Sequence, residues 1–155
     1  MAVKPVPDGY HTLTPYLIVK GAARALDFYA KALGATELVR MGDPSGKVGH
    51  AEMSIGDSRF MLADEFPERG AVAPPAPGGR YVTFLVYVPD VDAAFARAVA
   101  AGAKEVRPVT DQFYGDRAGV LEDPFGHQWM IATHVEDVSP EELERRARDR
   151  ASQGG

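Results

Sequence analysis

An α+β fold built from two βαβββ modules is what this 155-residue sequence predicts, and three observations predict it. Residues 49–64 (GHAEMSIGDSRFMLAD) and 119–134 (GVLEDPFGHQWMIATH) both read as strand, tight turn, strand. Gly49 and Gly119, Glu52 and Glu122, Gly56 and Gly126, and Met61 and Ile131 all stand 70 residues apart, the mark of a duplicated unit. The order strand, helix, three strands runs through residues 11–65 and restarts at residues 81–135, and residues 66–80 between them carry four prolines and three glycines. That middle stretch is expected to stay solvated and extended as a linker.

The elements follow in order. Residues 1–10, with Pro5, Pro7 and Gly9, read as an irregular lead-in. Residues 12–19 form a strand with Leu13, Leu17 and Val19 on one face and Thr14, Tyr16 and Ile18 on the other. Pro15 places it at a sheet edge or near a strand end, because proline donates no ladder hydrogen bond. Residues 22–33 place Ala22, Leu26, Tyr29, Ala30 and Leu33 on one helical stripe, and Gly34 supplies a left-handed closing residue. Strands at 37–40, 48–55 and 59–64 complete the first module, the last two joined through Gly56 and Asp57.

In the second module residues 81–88 alternate Val82, Phe84, Val86 and Val88 against Tyr81, Thr83, Leu85 and Tyr87. A helix over 90–101 stripes Val91, Ala94, Phe95, Ala98 and Val99, and Gly102 closes it. The apolar set Val82–Val88 marks the helix-packing face, so Thr83 and its face-mates turn the other way. By the same parity His50, Glu52 and Ser54 face away from the helices in the first module, as do Gln128, Met130, Ala132 and His134 in the second, with Trp129 in the core. After His134 a capping box, Ser139-Pro140-Glu141-Glu142, opens a C-terminal helix over 139–150 whose acids come first and arginines last. Only Leu143 and Ala147 are apolar along it, so it belongs on a surface or against a partner subunit.

Composition narrows the function classes. The chain has no cysteine, which excludes disulfides, thiolate metal sites and cysteine nucleophiles. A net charge of −5 with no basic stripe interleaved with aromatics argues against a nucleic-acid partner. No apolar run reaches the roughly 20 residues of a membrane span, and the first residues hold no apolar signal core. A cytoplasmic protein is therefore expected.

FYAKALGA in the first module and DPFGH in the second, with TPYLIVKGAARALDFY, HAEMSIGDSRFML, FYGDR and DPFGHQWMIATH, resemble the vicinal-oxygen-chelate superfamily. That superfamily includes glyoxalase I, extradiol dioxygenases and bleomycin-resistance proteins, and the motifs are most similar to its PhnB-like group. The resemblance spans about residues 11–135 and implies paired curved sheets with helices outside, a concave small-molecule cavity and a homodimer. In metal-dependent members the ligands come from the first and last strands of each module, which the resemblance places at Thr14, Phe60, Thr83 and Met130 here. Hydroxyl, phenyl and thioether groups are poor ligands for Zn²⁺, Ni²⁺ or Fe²⁺ at sites that want imidazole or carboxylate. No cofactor is therefore expected, and those four positions with Tyr16 are expected to line a ligand cavity instead.

His50 and Glu52 share one strand face about 7 Å apart, a spacing that suits a general base with an acidic orienter or a buried structural pair. Glu122 is expected to meet Glu52 across the pseudo-twofold axis, so His50, Glu52 and Glu122 are the catalytic candidates and an alternative, shifted metal site. Phe113, Tyr114 and Arg117 sit in a turn where a guanidinium and two rings suit a carboxylate or phosphate and an aromatic ligand, or simply pin the turn. His127 is expected exposed in a β-turn, and His11 and His134 solvated or capping. Two function classes follow: a metal-independent small-molecule binder, and a glyoxalase- or dioxygenase-like enzyme using the shifted site.

Overall fold

The computed structural model describes residues 4–75 and 82–153; Tyr81 and residues 76–80 of the linker lie outside the described residues. Two four-stranded mixed sheets result, each from one module. In the first, β1 (Tyr16–Val19), α1 (Ala22–Leu33), β2 (Thr36–Gly42), β3 (Val48–Ile55) and β4 (Ser58–Asp64) assemble in the order β1-β4-β3-β2. In the second, β5 (Thr83–Tyr87), α2 (Val91–Ala100), β6 (Lys104–Asp111), β7 (Asp116–Glu122) and β8 (Gln128–His134) give β5-β8-β7-β6. The pairs β1 with β4 and β5 with β8 run parallel, while the other neighbours run antiparallel.

The first strand is shorter than its pattern predicts. It starts at Tyr16, because Pro15 offers only its carbonyl, which accepts from the Met61 amide at 2.9 Å. The C-terminal helix α3 (Pro140–Gln153) runs three residues past the expected end and buries none of its side chains. The start of the linker is folded rather than extended: Pro67–Arg69 form a 3-10 turn, and Glu65 accepts from the Ala73 amide at 2.6 Å. Lys47 stacks on Phe66 there, 4.9 Å from the ring centre.

Helices α1 and α2 each begin on a carboxylate, for two different reasons. Gly21 has no side chain with which to cap α1, and Asp64 at the end of β4 does it instead, accepting from the Gly21 and Ala22 amides at 2.9 Å and from Val48 at 2.8 Å. Helix α2 is capped locally, by Asp90 accepting from the Ala93 amide at 3.1 Å.

Helix α1 packs on α2, and the apolar faces of both sheets close on this helix layer. Leu17, Val19, Ala51, Met53 and Leu62 from one sheet and Leu121, Trp129 and Ile131 from the other are buried there. Tyr29 sits at the junction, with ring centres 5.6 Å from both Phe60 and Trp129. The hydrophobic core is therefore shared by the modules, and the helix-free face of each sheet looks outward.

Candidate functional site

The helix-free face of the first sheet carries a hydrogen-bonded relay. His50 and Glu52 alternate with Ala51 and Met53, so burial of the apolar pair under α1 turns the polar pair outward. His50 Nε2 lies 2.8 Å from Glu52 Oε2, and the Tyr16 hydroxyl lies 2.9 Å from His50 Nδ1. Tyr10 closes the chain by donating its hydroxyl to Glu52 Oε1, and the Arg59 guanidinium stacks 4.9 Å from the Tyr10 ring centre. Tyr16 comes from β1 and Arg59 from β4, so three strands and the lead-in converge on one carboxylate.

The hydrogen bond from Tyr10, then that with His50, hold the Glu52 carboxyl below the usual carboxylate range. Burial, and then the neighbouring Glu52, push both tyrosine hydroxyls up, so they remain protonated donors. An ionised Glu52 is satisfied when His50 donates from Nε2, and Nδ1 can then accept from the Tyr16 hydroxyl. Because Glu52 is depressed in the fold, its stabilising contribution is complete above the unfolded value of about 4.3 and is lost as pH falls through the lower folded value. Thermal midpoints followed from pH 6 down to pH 3 are expected to fall more steeply in the wild type than in Glu52→Gln; parallel curves would exclude the relay as a source of acid sensitivity.

The second sheet bears a comparable group on its helix-free face. Tyr87 donates to Asp116 Oδ2 at 2.8 Å, and His134 bridges Asp116 Oδ1 and Asp137 Oδ1, each at 2.7 Å. Those two carboxylates, Asp116 first, raise the His134 pKa. Thr83, which hydrogen-bonds Gln128 at 2.8 Å, and Met130, opposite Leu85 and Val120, share this face.

Several candidates stand elsewhere than predicted. Phe60 is 4% exposed in the helix-facing core, because the β3–β4 register places it opposite buried Met53; Met61, opposite Glu52, takes the outward position. Arg117 belongs to β7 rather than to the preceding turn and points to the helix side, where Asp92 of α2 (2.9 Å) and Asp111 (3.1 Å) hold it. Phe113 lies under Arg150 of α3 at 5.1 Å and meets Tyr114 edge-on, making these rings a seat for that helix. Glu122 shares the outward parity of Glu52 but stands on the other sheet, so His50, Glu52 and Glu122 do not form one site. It lines a groove of about 390 Å³ with Lys20, Lys104 and Phe125, which no relay residue borders. His127 is half-buried and bonds the Ile18 carbonyl at 2.9 Å, linking the modules.

The donors at the four metal positions do not suit a divalent ion. Thr14 donates to the His11 carbonyl at 3.3 Å, Thr83 to Gln128, Phe60 is in the core and Met130 offers a thioether. Among the described residues no three His, Asp or Glu side chains are grouped to hold a metal. Nor is any helix among them long and apolar enough to cross a membrane. Tyr10 had no signal in the sequence beyond being an aromatic flanked by turn residues, and Asp116 and His134 read there as turn and strand-end residues.

Comparison with known proteins agrees with this architecture. The profile of the Glyoxalase/Bleomycin resistance protein/Dioxygenase superfamily matches residues 10–131. The protein Rv0887c of Mycobacterium tuberculosis is 44% identical over 135 residues, covering 85% of this chain and 79% of its own. The crystal structure of TioX from Micromonospora sp. ML1 superposes with a TM-score of 0.64 at 28% identity, covering 81% of this chain and 99% of that one. A glyoxalase/bleomycin resistance protein/dioxygenase from Nocardioides gives 0.60 at 25% identity, over 84% and 88% of the two chains. The PhnB protein of Bacillus cereus, at 19% identity and a TM-score of 0.63 over 79% and 99%, shares the fold. With its duplicated modules, its sheet order and this match over most of its length, the chain belongs to the glyoxalase/bleomycin resistance protein/dioxygenase superfamily.

Proposed function

We propose that the protein binds a small organic molecule on the helix-free face of its first sheet, with His50 and Glu52 as the polar anchor and without a metal at the four superfamily positions. The observation that carries this reading is the Tyr16–His50–Glu52–Tyr10 relay. A carboxylate kept ionised on a partly apolar face, beside Tyr16, Ile18 and Met61, favours a ligand that brings a hydrogen-bond donor or a positive charge together with an apolar body. The imidazole beside it is engaged at both ring nitrogens, by Glu52 and by Tyr16, so the orientation of the anchor is already set.

In this reading a second copy of the chain covers the ligand. Helices α1 and α2 lie between the two sheets of one chain, so its own helix-free faces do not close on each other. Tyr16, Leu85 and Tyr87 stand 47%, 44% and 60% exposed on those faces, a degree of exposure that suits burial between two copies.

The test is a two-dimensional NMR screen of the wild-type protein with a library of small aromatic cations, alcohols and acids. Hits are expected to shift resonances of Tyr16, His50, Glu52 and Met61. Glu52→Gln is expected to weaken them by roughly ten- to a hundredfold, the effect of losing a hydrogen bond to a charged group. A screen whose hits all map away from this face would overturn the reading.

A further inference from the structure

We propose that Tyr10 is a ligand carried by the chain itself, and that the relay is a recognition site for a phenolic hydroxyl, which a hydroxyaromatic compound occupies by displacing Tyr10. This inference deepens the binding reading above and rests on it.

Glu52 divides its two oxygens between partners of different kinds. Oε2 faces His50, two residues along the same strand, and His50 is in turn held by Tyr16 of β1 in the same sheet. Both belong to regular structure. Oε1 takes its proton from Tyr10, which belongs to a stretch with no strand or helix before Tyr16. Among the described residues that stretch is held to the body by few backbone contacts: His11 Nε2 stands 3.1 Å from the Asp57 carbonyl, and the Pro15 carbonyl accepts from the Met61 amide at 2.9 Å. The turn from the Tyr10 amide to the Pro7 carbonyl at 3.1 Å lies within the stretch itself.

What Tyr10 supplies is what a free phenol would supply. Its hydroxyl donates to an ionised carboxylate, and its ring receives the Arg59 guanidinium at 4.9 Å, a cation–π contact open to any ring of that size. Nothing else about the contact depends on the main chain of residue 10. The ring is half-buried on the sheet surface and is absent from the buried core, so removing it leaves the modules intact. A benzene ring without the hydroxyl would stack on Arg59 and leave Glu52 Oε1 without its donor, and an aliphatic alcohol would donate without the stack. The site therefore discriminates in favour of the combined group. The advantage of the tethered ring over a free one is its effective concentration, on the order of millimolar for a short flexible tether.

The probe is p-cresol, the tyrosine side chain as a free molecule, with toluene as the ring lacking the hydroxyl. Binding to the full chain is followed by calorimetry and by the imidazole resonances of His50. Tyr10→Gly is expected to bind p-cresol at least about fivefold more tightly than the wild type, because the tethered competitor is gone. It should prefer p-cresol to toluene by about tenfold or more, and lose that preference in Tyr10→Gly with Glu52→Gln. Tyr10→Phe, which keeps the ring and its stack, should fall between wild type and Tyr10→Gly. Equal binding of toluene and p-cresol, or a preference that survives Glu52→Gln, would overturn the inference. If library compounds shift the relay residues while p-cresol binds neither variant, the phenol assignment falls and the binding reading stands; if no compound of either kind shifts them, both fall.

Discussion

Asp123→Ala is expected to lower the unfolding free energy by about 3–5 kcal/mol, because it strips several buried or half-buried donors of their acceptor at a cost of about 1–3 kcal/mol each. Asp123 is 3% exposed and accepts four hydrogen bonds. Tyr29 (2.7 Å) and the Trp129 indole (2.9 Å) donate to Oδ2, and the Phe125 and His127 amides donate to Oδ1, each at 2.9 Å. Alanine would leave the indole and both amides buried or half-buried without an acceptor, since the indole and amide N–H groups can only donate. Tyr29 comes from the first module and the other three donors from the second, so the same residue ties the two halves of the shared core. Against a total of about 5–15 kcal/mol for a domain, such a loss threatens folding at 37 °C. Urea denaturation followed by Trp129 fluorescence measures it. Tyr29→Phe, which removes one donor and leaves Asp123 three, should cost only about 1 kcal/mol. Equal losses in the two variants would mean that ring packing, and not the carboxylate, holds the junction.

Much of this fold was legible because strand and helix periods differ and because the modules repeat. The face assignments of His50, Glu52, Thr83, Met130 and Trp129 followed from alternation alone. Phe60 shows where that reasoning stops. The repeat spacing of 70 holds on β3 and β7, where Glu52 matches Glu122, but their partners across the hairpins are Met61 and Gln128. The spacing has therefore dropped to 67 beyond the turn, because Ile55 and Ser58 close a two-residue loop whereas Glu122 and Gln128 close a longer one. An odd change reverses which face each residue occupies, and Phe60 moves from the cavity into the core. The Met61–Ile131 match was thus a coincidence of residue type. Arg117 failed for a related reason: composition marks a turn near Gly115, but only the ladder shows that β7 already includes Asp116, which fixes Arg117 on the opposite face. Tyr10 was illegible because no periodic pattern precedes β1, and its place depends on side-chain contacts with Glu52 and Arg59, distant in the sequence. Glu122 shows the limit of symmetry reasoning, since matching parity on two separate sheets does not by itself bring two carboxylates together.

Gly115→Ala is expected to cost about 2–4 kcal/mol, from a disfavoured backbone angle and lost hydrogen bonds together. Gly115 has φ +98°, a region that L side chains rarely adopt, and an added Cβ would overlap the Glu136 carbonyl oxygen and stand 3.0 Å from Val138 Cγ2. A side-chain neighbour could rotate away, but a backbone carbonyl can yield only if the segment after β8 lifts. That segment is fastened there by the Val135 and Glu136 amides, which both donate to the Gly115 carbonyl at 2.9 and 3.0 Å. Lifting it also pulls Glu136 from Arg146, whose guanidinium it holds at 2.7 Å, while Arg146 separately donates to the Phe113 carbonyl at 3.1 Å. Since α3 buries no side chain, these polar contacts carry most of its attachment. Hydrogen exchange should therefore show residues 140–153 losing protection in Gly115→Ala while β7 and β8 keep theirs, and added salt should produce a milder version of the same pattern in the wild type. Protection lost evenly across the second sheet would instead place the damage in the ladder itself, and Phe113 and Tyr114 would then be parts of the module core and not the seat on which α3 rests.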